Sequence, residues 1–210
     1  MRYRLLDHQF IFPSPAGAFS SVVDPEPDAL RRFLQRLLSA DTSPRLCLPA
    51  VMGWAGTESE DGALDLLYHL QALGWVEGFA DAQPAPAGAL EDVLPALLPP
   101  LSADGKALLA DAQGFYVAST GFQHETAVEL AALSADLASL YERHQGLLKR
   151  NMGLGSSTWA LVDAAGNSQT GFWPLYIGDQ RFVLIISGVP RLNQPALTDL
   201  IWAFSKRYAR

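Results

Sequence analysis

LLADAQGFYVASTGFQHETAVELAALSADLASLYERHQGLL, residues Leu108–Leu148, is the stretch whose reading decides the fold. It opens with two short apolar runs, Ala107–Ala110 and Phe115–Ala118, on either side of Asp111-Ala-Gln-Gly114. An aspartate followed by a glycine at this spacing predicts a tight hairpin, because glycine takes the positive φ that such a turn needs. From His124 the period changes to that of a helix, predicted over His124–Leu148. Ala127, Leu130, Ala131, Ser134, Leu137, Ala138, Tyr141 and His144 form one stripe along it, and Leu133, Leu140 and Leu147 form a second. Two stripes mean that more than one face is buried. The stripe rich in Ala and Ser is expected to admit a second helix closely, leaving the other face to cover the sheet.

Three strands follow on the C-terminal side. Ser157–Val162 ends at Asp163-Ala-Ala-Gly-Asn167, Gln169–Ile177 ends at Gly178-Asp-Gln180, and Arg181–Ser187 completes a meander of hairpin-length gaps. Leu192–Tyr208 reads as a final helix, with Asn193 placed to cap it and Ala196, Leu197, Leu200, Ile201 and Phe204 on its apolar face. On the N-terminal side, Leu90–Leu101 reads as a short helix interrupted by Pro95 and ended by Pro99-Pro100.

DAQPAPAGAL, residues 81–90, has no apolar period and reads as a linker, placing a boundary near residue 85 between domains 1–85 and 86–210. A long loop within one fold is the alternative. Within 1–85, Arg2–Phe12 reads as an arm or strand, and Pro13, Pro15, Gly17, Pro25 and Pro27 as marking a loop. Helices are predicted over Asp28–Leu38, Cys47–Trp54 and Glu60–Leu73, then a strand over Trp75–Phe79. That order is winged-helix-like in shape; a plain helical cap on the second domain is the other reading. The third helix would read a DNA groove in such a fold. It carries Glu58, Glu60, Asp61 and Asp65 without a Lys or Arg, so a protein partner suits it better than DNA.

The order and the residues of 86–210 resemble the roadblock/dynein-light-chain (LC7-type) family. LLADAQGFYVASTG (108–121) is similar to its opening hairpin and ELAALSADL (129–137) to the small-residue part of its long central helix. FWPLYIGDQRFVLIIS (172–187) is similar to its closing strands and LNQPALTDLIW (192–202) to its last helix. The resemblance implies an α+β fold, a five-stranded antiparallel sheet with a long central helix and flanking helices. It further implies a homodimer made by the long helices and a shared sheet edge. On this chain the interface would comprise Ala127, Leu130, Ala131, Ser134, Leu137, Ala138 and Tyr141, with Ser157, Trp159 and Leu161 from the strand. Family members are scaffolds, motor subunits or regulators of small Ras-like GTPases, some in bacterial signalling, polarity or motility, without cofactors or chemistry of their own.

Bulk properties agree. The chain carries 15 basic against 22 acidic side chains, so it has no footprint for nucleic-acid backbones. The start, MRYRLLDHQF, is unlike a secretory signal, and no apolar run reaches membrane-span length, which makes a cytoplasmic location the expectation. Cys47 is the one cysteine and reads as a buried small hydrophobe. No histidine pair has metal-ligand spacing; His124 and His144 would stand about 30 Å apart along a helix. Gly153-Leu-Gly-Ser-Ser157 lacks a phosphate-loop pattern and reads as an entry to the next strand. Asp111 and Asp163 read as turn formers. No catalytic, metal or cofactor residue is therefore assigned. Phe172 and Trp173 adjoin on one strand and must face opposite sides, so one ring is expected against the other domain, on a partner surface, or in the core. The functional expectation is a dimeric adaptor or regulator, with a small GTPase as partner; a DNA-binding regulator is the alternative.

Overall fold

The computed structural model describes residues 5, 6 and 8–209. Residues 2–4 and Asp7 of the expected N-terminal arm lie outside the described residues. Contacts divide the chain into two units: one through Gly88 joined by Leu197 onward, the other Ala89–Ala196.

The first unit runs β1 (Phe10–Pro13), α1 (Pro15–Val22), α2 (Ala29–Leu38), α3 (Leu48–Ala55), α4 (Glu60–Ala72) and β2 (Val76–Phe79). The prolines of 13–27 were expected to mark a loop, yet α1 is a helix. Ser14 accepts the Gly17 N–H as its N-cap and Pro15 takes the first helical position, where a missing N–H costs nothing. Ser14 also donates from Oγ to Gly74 O at 2.6 Å and from its backbone N to Trp75 O at 3.0 Å, stitching α1 to the chain after α4. That approach requires glycine at 17, since a Cβ there would overlap the Trp75 carbonyl. β1 pairs antiparallel with β2, Phe12 opposite Glu77. Ile11, Phe33, Leu34, Leu37, Val51 and Leu70 lie in the core these elements enclose. Cys47 corrects an expectation: it is exposed. It occupies the N-cap position of α3, turned out while Leu46 and Val51 on either side turn in.

The last helix, α7 (Pro195–Tyr208), starts three residues later than the periodicity suggested and has its partners in the first unit. Trp202 packs against Phe12, with ring centroids 4.0 Å apart and the planes tilted by 41°, and donates its indole N–H to Ala40 O at 2.8 Å. Lys206 pairs with Asp41 at 2.5 Å and holds that carboxyl below its ordinary range. The sequence reading had kept this helix with residues 86–210.

The second unit runs α5 (Leu90–Leu97), a 3-10 turn (Pro99–Leu101), β3 (Ala107–Asp111), β4 (Tyr116–Thr120), α6 (His124–Gln145), a π turn (Gly146–Asn151), β5 (Trp159–Val162), β6 (Ser168–Ile177) and β7 (Gln180–Ser187). The strands form one five-stranded antiparallel sheet in the order β4-β3-β7-β6-β5. The fold is therefore mixed α+β, as expected. β5 is shorter than predicted, because Ser157 precedes the first paired residue, Trp159.

Two hairpins of one design bracket the sheet. In each, an aspartate accepts two backbone N–H groups at 2.9 Å: Asp111 from Gln113 and Phe115, Asp163 from Ala165 and Asn167. Gly114 and Gly166 then take φ of +88° and +85°. Both carboxylates act as turn formers, and the Asn167 hydrogen bonds hold the Asp163 carboxyl below its ordinary range.

Candidate interaction surface

α6 lies on one face of the sheet, over Leu108, Ala110, Phe172, Val183 and Ile185. The residues it turns inward are Ala127, Ala131, Ser134 and Ala138, all buried within the single chain. This reverses the expected assignment of faces. The small-residue stripe, read as the surface for a second helix, is the surface for this chain's own sheet and hairpin. Beside this stripe, Gly114 of the hairpin comes close to the helix at Ala131, Ala132 and Ala135. A Cβ on it would meet Ala132 Cα at 3.2 Å and Ala135 Cβ at 3.3 Å, so the hairpin tip touches the helix almost backbone to backbone. Leu130 and Leu137 pack on the rim of this core and remain half-buried, as does Tyr141.

What α6 leaves open is the other stripe. Leu133 and Leu140 are 39% and 36% exposed, and Leu147 just beyond the helix is 51% exposed. Leaving such a row of leucines in water forfeits roughly 25 cal/mol for every Å² that a partner would cover.

The helix is held firmly in this attitude. Arg181 on β7 forms an ion pair with Glu142 of α6 and reaches Ala112 O at 3.4 Å. Tyr176 on β6 stands in the same cluster, and burial pushes its phenol up despite the Arg181 charge and a hydrogen bond with Ser157. At the other end, Tyr116 Oη and His124 Nδ1 are 2.9 Å apart.

The sheet adds a second open feature. β4 forms one edge and packs beside α5. β5 forms the other edge and is bonded on its β6 side. Leu161 and Val162 on it are exposed, at 58% and 59%. An unpaired edge with apolar side chains is a template for another strand. Of the residues proposed from sequence on this strand, Leu161 is open, Trp159 is half-buried against the α6 side of the core, and Ser157 lies in the lead-in.

Phe172 and Trp173 face opposite sides, as the strand geometry demands. Phe172 is in the core under α6; Trp173 is buried on the other face, so neither ring is a partner surface. Among the described residues no group of three His, Cys, Asp or Glu side chains is placed to hold a metal ion. Among them, too, no helix is long and apolar enough to cross a membrane. Glu58, Glu60, Asp61 and Asp65 are exposed around the start of α4, so the acidic character read from the sequence is a surface property.

No protein-family model matches the chain, and no curated relative is found. Among solved structures, a roadblock/LC7 domain from Streptomyces avermitilis is similar over 54% of this chain and 92% of its own, at 15% identity and a TM-score of 0.38. The winged-helix likeness of residues 1–85 finds no support in these comparisons.

Proposed function

We propose that this protein is a non-catalytic adaptor or regulator that works as a homodimer, through a roadblock-type module built on Ala89–Ala196. The observation that carries the reading is the coincidence of two unsatisfied features on one unit: the open β5 edge and the exposed leucine row of α6. Each alone is an aggregation liability; together they match what strand addition plus helix packing would cover. The order of hairpin, long helix and three-strand meander supports the family likeness. A small Ras-like GTPase is the proposed partner of the assembled dimer, in keeping with the function that likeness implies. Sites for DNA are a poorer reading, since the exposed surface at α4 is acidic and would repel phosphates.

Sedimentation over a wide concentration range tests the dimer. A dimer that Leu140→Glu or Leu161→Lys weakens at least tenfold while helix content is kept supports the reading; a monomer at every concentration overturns it. A pull-down with the tagged full-length chain tests the GTPase. Retention of a GTPase that depends on the nucleotide state supports that finer reading, and its failure with purified candidates leaves the dimer standing without it.

A further inference from the structure

Charge is distributed unevenly along the chain. Residues 46–105 hold nine carboxylates and no Lys or Arg. Residues 143–162 hold Arg143, Lys149 and Arg150 and no carboxylate. Each of these stretches also leaves apolar surface open.

In the first unit, a cleft of about 250 Å³ lies between α4 and the chain leading into β1. Leu46, Leu64 and Leu67 line it, together with the exposed Leu6 and Tyr68. Among the described residues no charged side chain lines the cleft itself. Carboxylates stand beside it instead. Asp61 and Asp65 precede Leu64 and Tyr68 by three residues and so lie on the same side of α4, one turn nearer its start. Glu58 and Glu60 are exposed just before them. Against these four stand Arg45, adjoining Leu46, and the imidazoles of His8 and His69.

In the second unit, the turn that follows α6 is exposed at every residue from 149 to 156. Met152 and Leu154 on it are 59% and 44% exposed and belong neither to the core nor to the leucine row of α6. Cations at the end of a helix offset its dipole, which accounts for Lys149 and Arg150 but not for two large apolar side chains beyond them. The flanking carboxylates are engaged, Glu142 with Arg181 and Asp163 with the N–H groups of its own turn. Asp179, exposed in the turn before Arg181, is one charge against three.

The two features complement each other. One is a leucine-walled cleft with a negative rim. The other is a positive turn that carries a leucine and a methionine, the side chain best able to fill an irregular space. We infer that the turn after α6 of one copy docks in the α4 cleft of a second copy of this chain, with Met152 and Leu154 between the leucines and Lys149 and Arg150 against Asp61 and Asp65. The surfaces joined differ on the two copies, so the contact is head-to-tail and repeats from copy to copy instead of closing as a two-fold dimer does. It uses neither the leucine row of α6 nor the β5 edge, and it does not rest on the homodimer reading. Exposed ion pairs contribute little each and are screened by salt, so the contact is weak and responds to ionic strength.

Sedimentation and light scattering of the full chain provide the test. The wild type should form species larger than a dimer as its concentration rises, and about 0.5 M salt should disperse them. Asp61→Lys with Asp65→Lys reverses the cleft rim, and Lys149→Glu with Arg150→Glu reverses the turn; circular dichroism checks that both variants stay folded. Each variant alone opposes like charges, and its head-to-tail association should weaken about tenfold. Mixed together, native turn meets native cleft and reversed turn meets reversed cleft, so the larger species should return. Met152→Gln with Leu154→Gln keeps every charge and should also lose them. A wild type that never exceeds a dimer at any concentration would overturn the contact and leave the homodimer reading to its own test. Larger species that survive either charge reversal or the loss of Met152 and Leu154, or that fail to return on mixing, would overturn it as well.

Discussion

The indole of Trp173 lies across Gly171, two residues before it on the same face of β6, so closely that a Cβ at 171 would overlap the ring. The contact ties a large buried side chain to the strand that carries β5, since Gly171 pairs with Ala160 across that junction. Gly171→Ala should therefore displace the ring and cost about 1–3 kcal/mol of folding stability. Chemical denaturation measures it. The double variant with Trp173→Leu should recover part of the loss, and full additivity of the two changes would show that the ring does not depend on this glycine.

The reversed faces of α6 make a paired prediction. Ala131→Leu places a larger side chain where the helix meets its own sheet and should lower stability by roughly 1–3 kcal/mol. Leu140→Glu, on the outward face, should impair self-association and leave the denaturation midpoint nearly unchanged at protein concentrations low enough that the wild type is itself monomeric. If Ala131→Leu folded normally and Leu140→Glu unfolded the protein, the assignment of faces would be wrong.

Gly17 tests the stitch between α1 and the chain after α4. A methyl group there collides with backbone rather than with a side chain that could swing away. Gly17→Ala should cost about 2 kcal/mol or more, although alanine is the better helix former. A thermal melt that rises on this substitution would show that α1 sits farther from Trp75 than described.

Asp199 on α7 is partly buried, and burial pushes its carboxyl up from the ordinary 3.8. A raised carboxyl binds its proton more tightly in the folded chain, so stability is highest below the unfolded value and falls as pH rises past it. Asp199→Asn removes that loss. It should raise the melting temperature by roughly 1–3 °C at neutral pH and leave it unchanged in acid. An equal effect at pH 3 and pH 7 would exclude desolvation of the carboxylate as the cause.

α7 offers a further check on the division of the chain. Trp202→Phe keeps an aromatic ring against Phe12 and removes the N–H that Ala40 O receives. The expected cost is about 1–2 kcal/mol, with faster amide exchange appearing first in α2 and β1 rather than in the sheet of the second unit.

Much of this molecule could be read along the chain. The two Asp-to-Gly hairpins were legible because their turn chemistry is complete within five residues. The strands they join, and α6 between them, followed from changes of period. α1 was missed although its signal was present: Ser14 and Pro15 are a cap and a first helical residue, but the prolines around them read as loop punctuation. Cys47 was misplaced because an apolar neighbourhood in sequence does not say which way one residue turns at a helix start.

What the sequence determined by itself was the order and type of the elements, because caps, turns and apolar periods act between near neighbours. It also contained both stripes of α6, the small one and the leucine one. Only the tertiary structure decided which stripe faces in, since both are apolar and local physics treats them alike. In the fold the sheet takes the small stripe, Ala127, Ala131, Ser134 and Ala138 being buried while Leu133 and Leu140 are left exposed, and the Gly114 hairpin closes on the adjoining Ala131, Ala132 and Ala135, where a Cβ on the glycine would press on the helix. The placing of α7 was likewise a tertiary matter: its apolar face was evident in the sequence, but its partners Phe12 and Ala40 lie more than 150 residues away along the chain, where no local pattern reaches.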